Sequence, residues 1–141
     1  MSRICWDTML LIYLLEGHPD YRVRADHLLA RARRRGDMLF TSYLALGEVM
    51  AGAGKSPQPE KTLLVRETLQ EMGFSFLPFD NGAVLPFGRL RGRQKLKVAD
   101  SIHLACAASA GIDLFLTGDK ELVKLDVPGI QFIADFNTPV L

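Results

Sequence analysis

The chain has 141 residues, enough for one domain, and a chain of this length buries about 68–70% of its unfolded surface without a disulfide or structural metal. Hydrophobic residues make up 48% of it and charged residues 23%, which is typical of a globular protein, and the net charge of +1 does not indicate a nucleic-acid partner. The first apolar run, Met9 to Leu15, is too short to cross a membrane, and no signal-peptide pattern is present. We therefore expect a cytoplasmic protein, with Cys5 and Cys106 as buried free thiols because both lie in apolar runs.

Apolar runs typical of buried strands alternate with helical segments along the whole chain. Breaks are expected at 17–20, in a loop at 54–59, and at Gly36, Gly73 and Gly111, where helices end. In chain order, the sequence predicts a strand at 4–7, helices at 8–16 and 21–35, a strand at 38–41, helices at 43–53 and 60–71, a strand at 74–77, helices at 81–93 and 98–110, and strands at 113–117 and 131–133. This alternation predicts one α/β domain over residues 1–141, with a parallel β-sheet covered by helices on both faces.

Four acidic residues stand in stretches of sequence that otherwise carry little negative charge. They are Asp7 after the first strand, Glu48 within an apolar helix, Asp100 in the first turn of an alanine-rich helix, and Asp119 after the fourth strand. A buried lone carboxylate becomes protonated, pairs with a cation or binds a metal. Because ligands bind at the carboxyl ends of parallel strands, we expect the four acids to meet there and to bind Mg²⁺ or Mn²⁺, which prefer oxygen ligands.

Three of the four acids also have a purely structural explanation. Asp7 precedes a predicted helix and Asp119 precedes Lys120-Glu121-Leu122, so either could be an N-cap residue, and Asp100 near a helix start is stabilised by the helix dipole. Glu48 gains little from capping, because it lies in the middle of a helix on an apolar stripe with no basic residue beside it. The predicted metal site therefore depends most on Glu48 and on the joint pattern.

Other polar residues near these acids give weaker signals. Thr8, Thr117 and Ser101 could donate hydrogen bonds to the carboxylates, although such residues more often cap helices or end strands. His103 is interpreted as a hydrogen-bonded structural residue, because no second His or Cys stands at ligand spacing. Two basic clusters could be solvated helix faces or phosphate contacts: Arg31, Arg33, Arg34 and Arg35 in one, and Arg89, Arg91, Arg93, Lys95 and Lys97 in the other.

Four short motifs occur in order along essentially the whole chain. They are Asp7-Thr8 after an apolar strand, Glu48 in Ala-Leu-Gly-Glu-Val, Ala99-Asp100-Ser101-Ile102 opening an alanine-rich helix, and Thr117-Gly118-Asp119 after a strand. No single motif is specific, but together they resemble the PIN domain, and most closely the toxin subunits of VapBC-type toxin–antitoxin pairs. The resemblance implies a parallel sheet between helical layers and a metal-dependent ribonuclease activity.

The resemblance also assigns roles to particular residues and partners. It implies Asp7, Glu48, Asp100 and Asp119 as metal ligands for Mg²⁺ or Mn²⁺, with Thr117 as the polar residue near the site. It further implies an RNA substrate, a small antitoxin that occludes the cleft, and a homodimer to which the apolar helix 44–53 and the Leu63/Leu64 surface could contribute. The chain departs from the family at Met9, where a small polar residue is frequent, and at Glu121-Leu122, where Asp-Phe is frequent; these departures bear on substrate choice rather than on metal binding.

Two other classes of protein share parts of this pattern. A receiver-like phosphotransfer domain uses an Asp after its first strand as nucleophile, but no suitable lysine stands in the last-strand segment and no further acids adjoin Asp7. A catalytically silent PIN-like module would bind RNA or a protein without turnover, and the complete set of acids argues against it.

Overall fold

The computed structural model describes residues 1–16, 19–54 and 60–137. Those ranges contain β1 (Arg3–Trp6), α1 (Thr8–Glu16), α2 (Pro19–Arg35), β2 (Met38–Ser42), α3 (Tyr43–Gly54), α4 (Glu60–Glu71), β3 (Phe74–Leu77), a 3-10 turn (Asn81–Ala83), α5 (Val84–Gly92), α6 (Val98–Ser109), β4 (Leu114–Thr117), α7 (Lys120–Val123) and β5 (Phe132–Asp135). The strands form one fully parallel sheet in the order β3-β2-β1-β4-β5. The predicted parallel α/β architecture is confirmed.

The central strand β1 sends its side chains to both faces of the sheet. Ile4 and Trp6 are buried in one apolar cluster, which contains side chains of α1, α2, α3 and α4. Cys5 lies between them in sequence and is buried in a second cluster, which contains side chains of α5, α6 and α7. Because successive strand residues point to opposite faces, a strand that is apolar at every position requires helices on both sides.

The predicted elements differ from the observed ones mainly at their ends, and the short helix α7 is absent from the predicted order. The helix predicted from 21 begins at Pro19, which suits the first helical position because its missing N–H has no intrahelical partner there. The segment 81–93 starts as a 3-10 turn, and α5 then accommodates Pro86 in its first turn. Gly73 and Gly111 follow their helices with φ of 102° and 67°, as predicted for helix-ending glycines. Parts of two predicted breaks, 17–18 and 55–59, lie outside the described residues.

Cys5 and Cys106 are free and buried, as predicted. Burial is the main cause that raises the pKa of the Cys5 thiol well above its usual range, and it raises the pKa of Cys106 to about 11. Both therefore remain protonated and unreactive at neutral pH. In the part of the chain that the structure describes, no helix has the length and apolar character that a membrane crossing requires.

Candidate active site

The four predicted acids line one cleft at the carboxyl edge of the sheet. Asp7 follows β1 directly, Glu48 lies in the second turn of α3, Asp100 in the first turn of α6, and Asp119 at the start of α7. Helices α1, α3 and α7 follow the carboxyl ends of β1, β2 and β4, and α6 packs against α3 and β2. The parallel topology therefore brings the starts of these helices to the same edge of the sheet. The cleft has a volume of about 490 Å³, and Thr8, Met9, His103 and Gly118 also line it.

Asp7 is held by hydrogen bonds to both of its carboxylate oxygens. Its Oδ2 accepts a 2.8 Å bond from the Thr117 hydroxyl, and its Oδ1 accepts a 2.8 Å bond from the Thr8 amide. Thr117 is fully buried, and its Oγ1 also accepts a 3.1 Å bond from the amide of Asp119. The Thr117 hydroxyl therefore connects the segment of Asp7 to the segment of Asp119. The expectation that Thr117 bonds a carboxylate is confirmed.

Glu48 has partners that the sequence did not indicate. Its Oε1 accepts a 2.8 Å bond from the Thr8 hydroxyl and lies 2.8 Å from His103 Nε2. The side chain is 39% exposed, so the expectation of a lone carboxylate on a buried stripe was wrong. The reason is that His103, 55 residues later on α6, packs against α3 and places its ring beside the carboxylate.

The hydrogen bonds of His103 define which ring nitrogen carries a proton. Ser42 Oγ already accepts a 2.9 Å bond from the Ala45 amide, as an N-cap residue of α3 does, and it lies 2.6 Å from His103 Nδ1. Because a carboxylate oxygen can only accept, the 2.8 Å contact with Glu48 Oε1 places a proton on His103 Nε2, and in the neutral ring Nδ1 then accepts from the Ser42 hydroxyl. The prediction of a hydrogen-bonded histidine is confirmed, but the residue also lines the cleft and orients one of its acids.

Asp100 and Asp119 differ in their surroundings: Asp100 is partly buried near other acids, and Asp119 caps a helix. Burial is the main cause that raises the pKa of Asp100 above its usual value, and the charges of Asp7 and Asp119 raise it further, while His103 and Lys97 oppose the shift. Asp119 is the N-cap of α7, because its Oδ1 accepts a 2.9 Å bond from the Glu121 amide. The capping explanation of Asp119 is thus correct, and it coexists with the position of the side chain on the cleft.

Ser101 does not belong to this group of side chains. It is fully buried, and its hydroxyl donates a 2.9 Å bond to the Lys97 carbonyl oxygen one turn earlier in α6. Asp100 and His103, by contrast, stand three residues apart and share the helix face that meets the cleft. Of the residues weighed beside the acids, Thr8, Thr117 and His103 contact them through hydrogen bonds, and Ser101 stabilises the helix start.

The carboxylates share the cleft without forming a closed ligand cage. Among the described residues, no three His, Cys, Asp or Glu side chains are arranged closely enough to hold a metal ion. Glu48 is directed toward His103, and Asp119 is engaged by its cap bond. The conformation therefore has all four acids around one solvent-accessible space, with side-chain movement or bridging water needed before three of them coordinate one ion.

Comparison with known proteins agrees with this fold. The model of the PIN domain family matches residues 4–128, so the chain belongs to the PIN domain family. No curated protein has significant sequence similarity to it.

Several solved structures share the fold. The crystal structure of DNA-bound VapBC from Salmonella typhimurium matches with a TM-score of 0.72 and 24% identity, over 96% of this chain and 99% of that chain. VapBC2 from Rickettsia felis, bound to a DNA fragment from their promoter, matches with a TM-score of 0.71 and 17% identity, over 94% and 98%. A toxin–antitoxin complex from Klebsiella pneumoniae matches with a TM-score of 0.64 and 25% identity, over 90% and 94%.

Proposed function

We propose that the chain is a metal-dependent endoribonuclease that hydrolyses RNA phosphodiester bonds, with Mg²⁺ or Mn²⁺ held by Asp7, Glu48, Asp100 and Asp119. PIN domains are generally nucleases, and the chain belongs to that family. The observation that carries the proposal is the convergence of the four carboxylates on one cleft. Structural capping explains Asp119 in part, but it does not explain why Asp100 stands near the negative charges of Asp7 and Asp119.

The donor set of the cleft fits a hard divalent cation. It consists of carboxylate oxygens, and repulsion among them, which contributes to the raised pKa of Asp100, is what a bound cation would relieve. The lack of a closed three-ligand cage is compatible with Mg²⁺, which keeps several waters and is usually held by one or two carboxylates together with substrate phosphates. When bound, such an ion activates a water and stabilises the negative charge that develops on the phosphate.

The side chains of the chain itself position the acids for this chemistry. The Thr117 hydroxyl and the Thr8 amide fix both oxygens of Asp7, which we propose as the main direct ligand. His103 Nε2–H and the Thr8 hydroxyl fix Oε1 of Glu48 and leave its second oxygen available to the cleft. Either Glu48 or Asp119 would orient the attacking water.

The biological role that we propose is that of the toxin in a type II toxin–antitoxin pair. The support comes from similarity to structures of VapBC proteins and of a toxin–antitoxin complex. The partner would be a small antitoxin that covers the acidic cleft. We also propose a homodimer: Leu63 and Leu64 on α4 are 75% and 53% exposed, whereas the apolar side chains of α3, such as Leu46 and Val49, are largely used in the core.

A second candidate is a PIN-like module that binds RNA or a protein without turnover. The observation that favours it is the absence, within the described ranges, of three ligand side chains already grouped for a metal. The two candidates differ in one measurable property, which is metal-dependent cleavage.

The test is incubation of the protein with a total-RNA pool in Mg²⁺, in Mn²⁺ or in EDTA. The nuclease proposal expects fragments in either metal, none in EDTA, and none from a folded Asp7→Asn variant. Asp26→Asn is the matched control, because Asp26 is an exposed acid of α2 that pairs only loosely with Arg22 at 3.8 Å. RNA binding without fragments under all conditions would instead support the silent module.

A further inference from the structure

A dense group of basic residues adjoins the acidic cleft. Between Val84 and Ala99 the chain has five cations and no acid. Arg89 and Arg93 share a small cavity with Asp126, whose charge partly offsets theirs. Lys95 and Lys97 are exposed, and within the described part of the chain neither forms a salt bridge. We call the segment from Arg93 to Lys97 the basic turn.

The basic turn has a defined conformation. The Arg91 side chain donates a 2.6 Å bond to the Leu96 carbonyl oxygen, and the Leu96 amide donates a 3.3 Å bond to the Leu90 carbonyl oxygen. These bonds tie the turn back to the end of α5. The cations of the turn are therefore presented from an ordered backbone, which reduces the entropy lost when they bind a ligand.

Lys95 occupies an unfavourable backbone conformation. Its φ is 55°, and it is the only residue other than glycine with a positive φ in the described ranges. Glycine or asparagine would adopt this conformation at lower cost, because the side chain of an ordinary residue crowds its own backbone there. Backbone strain of this kind occurs in turns and clusters at ligand-binding sites, and the Lys95 side chain carries an exposed positive charge.

Lys97 connects the basic turn to the acidic cleft. It is the N-cap residue of α6, and its carbonyl oxygen accepts bonds from the Ser101 amide and hydroxyl. Asp100 follows three residues later, so one helical turn, roughly 5 Å of rise, separates the two backbones. Lys97 is also one of the charges that act on the Asp100 carboxyl group. Phosphates bound on the basic turn would therefore lie close to the cleft.

We propose that the basic turn binds the phosphate backbone of RNA beside the phosphodiester that is cut. This inference rests on the proposed nuclease function. An acidic cleft repels a polyanion until a metal neutralises it, so neighbouring cations are needed to hold the strand on either side of the reacting phosphate. An acidic peptide would also be attracted to the cations, but it would gain nothing from the cleft.

The test is the affinity for a short labelled single-stranded RNA in EDTA, measured by fluorescence anisotropy across a salt series. EDTA prevents metal-dependent cleavage, so binding is measured whether or not the protein proves to be a nuclease. Lys95→Gln/Lys97→Gln is expected to raise Kd about tenfold or more at low salt, and to lower the slope of log K against log salt by about 1.4, which corresponds to two phosphate contacts. The matched control is Arg33→Gln/Arg34→Gln, which removes the same charge at the opposite edge of the sheet and is expected to change Kd less than about twofold.

Two outcomes would overturn the inference. One is an equal loss of affinity in both double variants, which would mean that only net charge matters. The other is a stronger effect of the lysine changes on binding of polyglutamate than on binding of RNA, which would identify an acidic protein as the ligand.

Lys95→Gly provides an independent check, because it removes both the cation and the backbone strain. RNA affinity should fall while the melting temperature stays the same or rises.

Discussion

The two sides of the cleft hold their acids in different ways. On one side, Glu48 accepts hydrogen bonds from Thr8 and His103, and Ser42 fixes the His103 ring in turn. We call this group the hydrogen-bonded side. On the other side, Asp100 experiences burial and the charges of neighbouring acids, with no side-chain donor to its carboxylate among the described residues. Glu48 is therefore held in place without a cation, whereas burial and the neighbouring acids disfavour the charged form of Asp100, and a cation would offset the repulsion.

This difference distinguishes a carboxylate that hydrogen bonds hold in place from one whose charge is costly in the free protein. Hydrogen bonds to a carboxylate favour its charged form and fix its direction. Burial and repulsion, which the charges of His103 and Lys97 offset only in part at Asp100, do neither, and they reduce the stability of the folded state unless a ligand binds. Sites that bind cations commonly retain such a cost in the free protein. We therefore expect a bound cation to reduce mainly the repulsion around Asp100, while the hydrogen-bonded side keeps its conformation.

Asp100→Asn should produce the largest effect that separates the two sides. The amide cannot ligate a divalent cation as a carboxylate does, so we expect RNA cleavage to fall about 10²- to 10³-fold or more, the scale of losing one electrostatic group of an active site. Stability should change in the opposite direction, because repulsion with Asp7 and Asp119 is removed. Solvent screens this partly exposed group, so the gain should be below about 1 kcal/mol, or a rise in Tm of at most about 4 °C.

The pH dependence of this effect has a defined sign. Since the pKa of Asp100 is raised in the folded state, mainly by burial, the folded protein binds more protons than the unfolded chain just above pH 3.8. The free energy of unfolding therefore decreases as pH rises through that interval, and this decrease should be smaller in Asp100→Asn. Thermal melts of both proteins between acidic and neutral pH measure it. A variant that is less stable than wild type at neutral pH would contradict the charged character of this side.

His103 variants test the hydrogen-bonded side, with an intermediate effect. His103→Leu removes the donor to Glu48, and we expect cleavage to fall about 10- to 100-fold, as for residues that orient metal ligands. His103→Gln keeps an N–H near the Nε2 position and should recover part of this loss. Ser101→Ala is the matched control, since it deletes another buried hydrogen bond of α6 and should lower stability without changing cleavage. Equal activity of His103→Leu and Ser101→Ala would show that His103 is only structural.

Thr117→Val should have the smallest effect of the three on cleavage. The hydroxyl of Thr117 donates to Asp7 and accepts from the Asp119 amide, so its removal should destabilise the protein by about 1–3 kcal/mol and lower cleavage about tenfold. Thr41→Val is a matched control on β2, on the other side of β1, where among the described residues a fully buried hydroxyl bonds only the Trp6 carbonyl oxygen. It should lower stability similarly and leave cleavage unchanged. Thr117→Ser should behave like wild type.

The sheet and the location of the acids could be predicted because both depend on local sequence. The run Ile4-Cys5-Trp6 is apolar at every position and ends at Asp7, and this pattern alone indicates a buried parallel strand. Once the strands are parallel, residues that follow them, such as Asp7, must lie at the carboxyl edge. No knowledge of side-chain packing is needed for that step.

The contact between Glu48 and His103 could not be predicted, because it depends on how α3 and α6 pack across the end of the sheet. The two residues are 55 positions apart, and only Glu48 looks like an isolated charged residue on an apolar helix. The available signal was that His103 lies three residues after Asp100 and so shares its helix face. Asp119 shows the complementary difficulty, since a single side chain caps α7 and also lines the cleft. In the sequence, an Asp before a helix has the same pattern whether it caps the helix, lines a site or does both.

Binding of Mn²⁺ to the protein, measured by electron paramagnetic resonance or calorimetry, tests the central claim most directly. We predict saturable binding to the wild-type protein that is lost in both Asp7→Asn and Asp100→Asn and retained in Asp26→Asn. Saturation should also raise the Tm of the wild type, because the ion binds only the folded state. Absence of saturable binding in the wild type, or equal binding in the Asp7 and Asp100 variants, would contradict the assignment of the cleft as a metal centre.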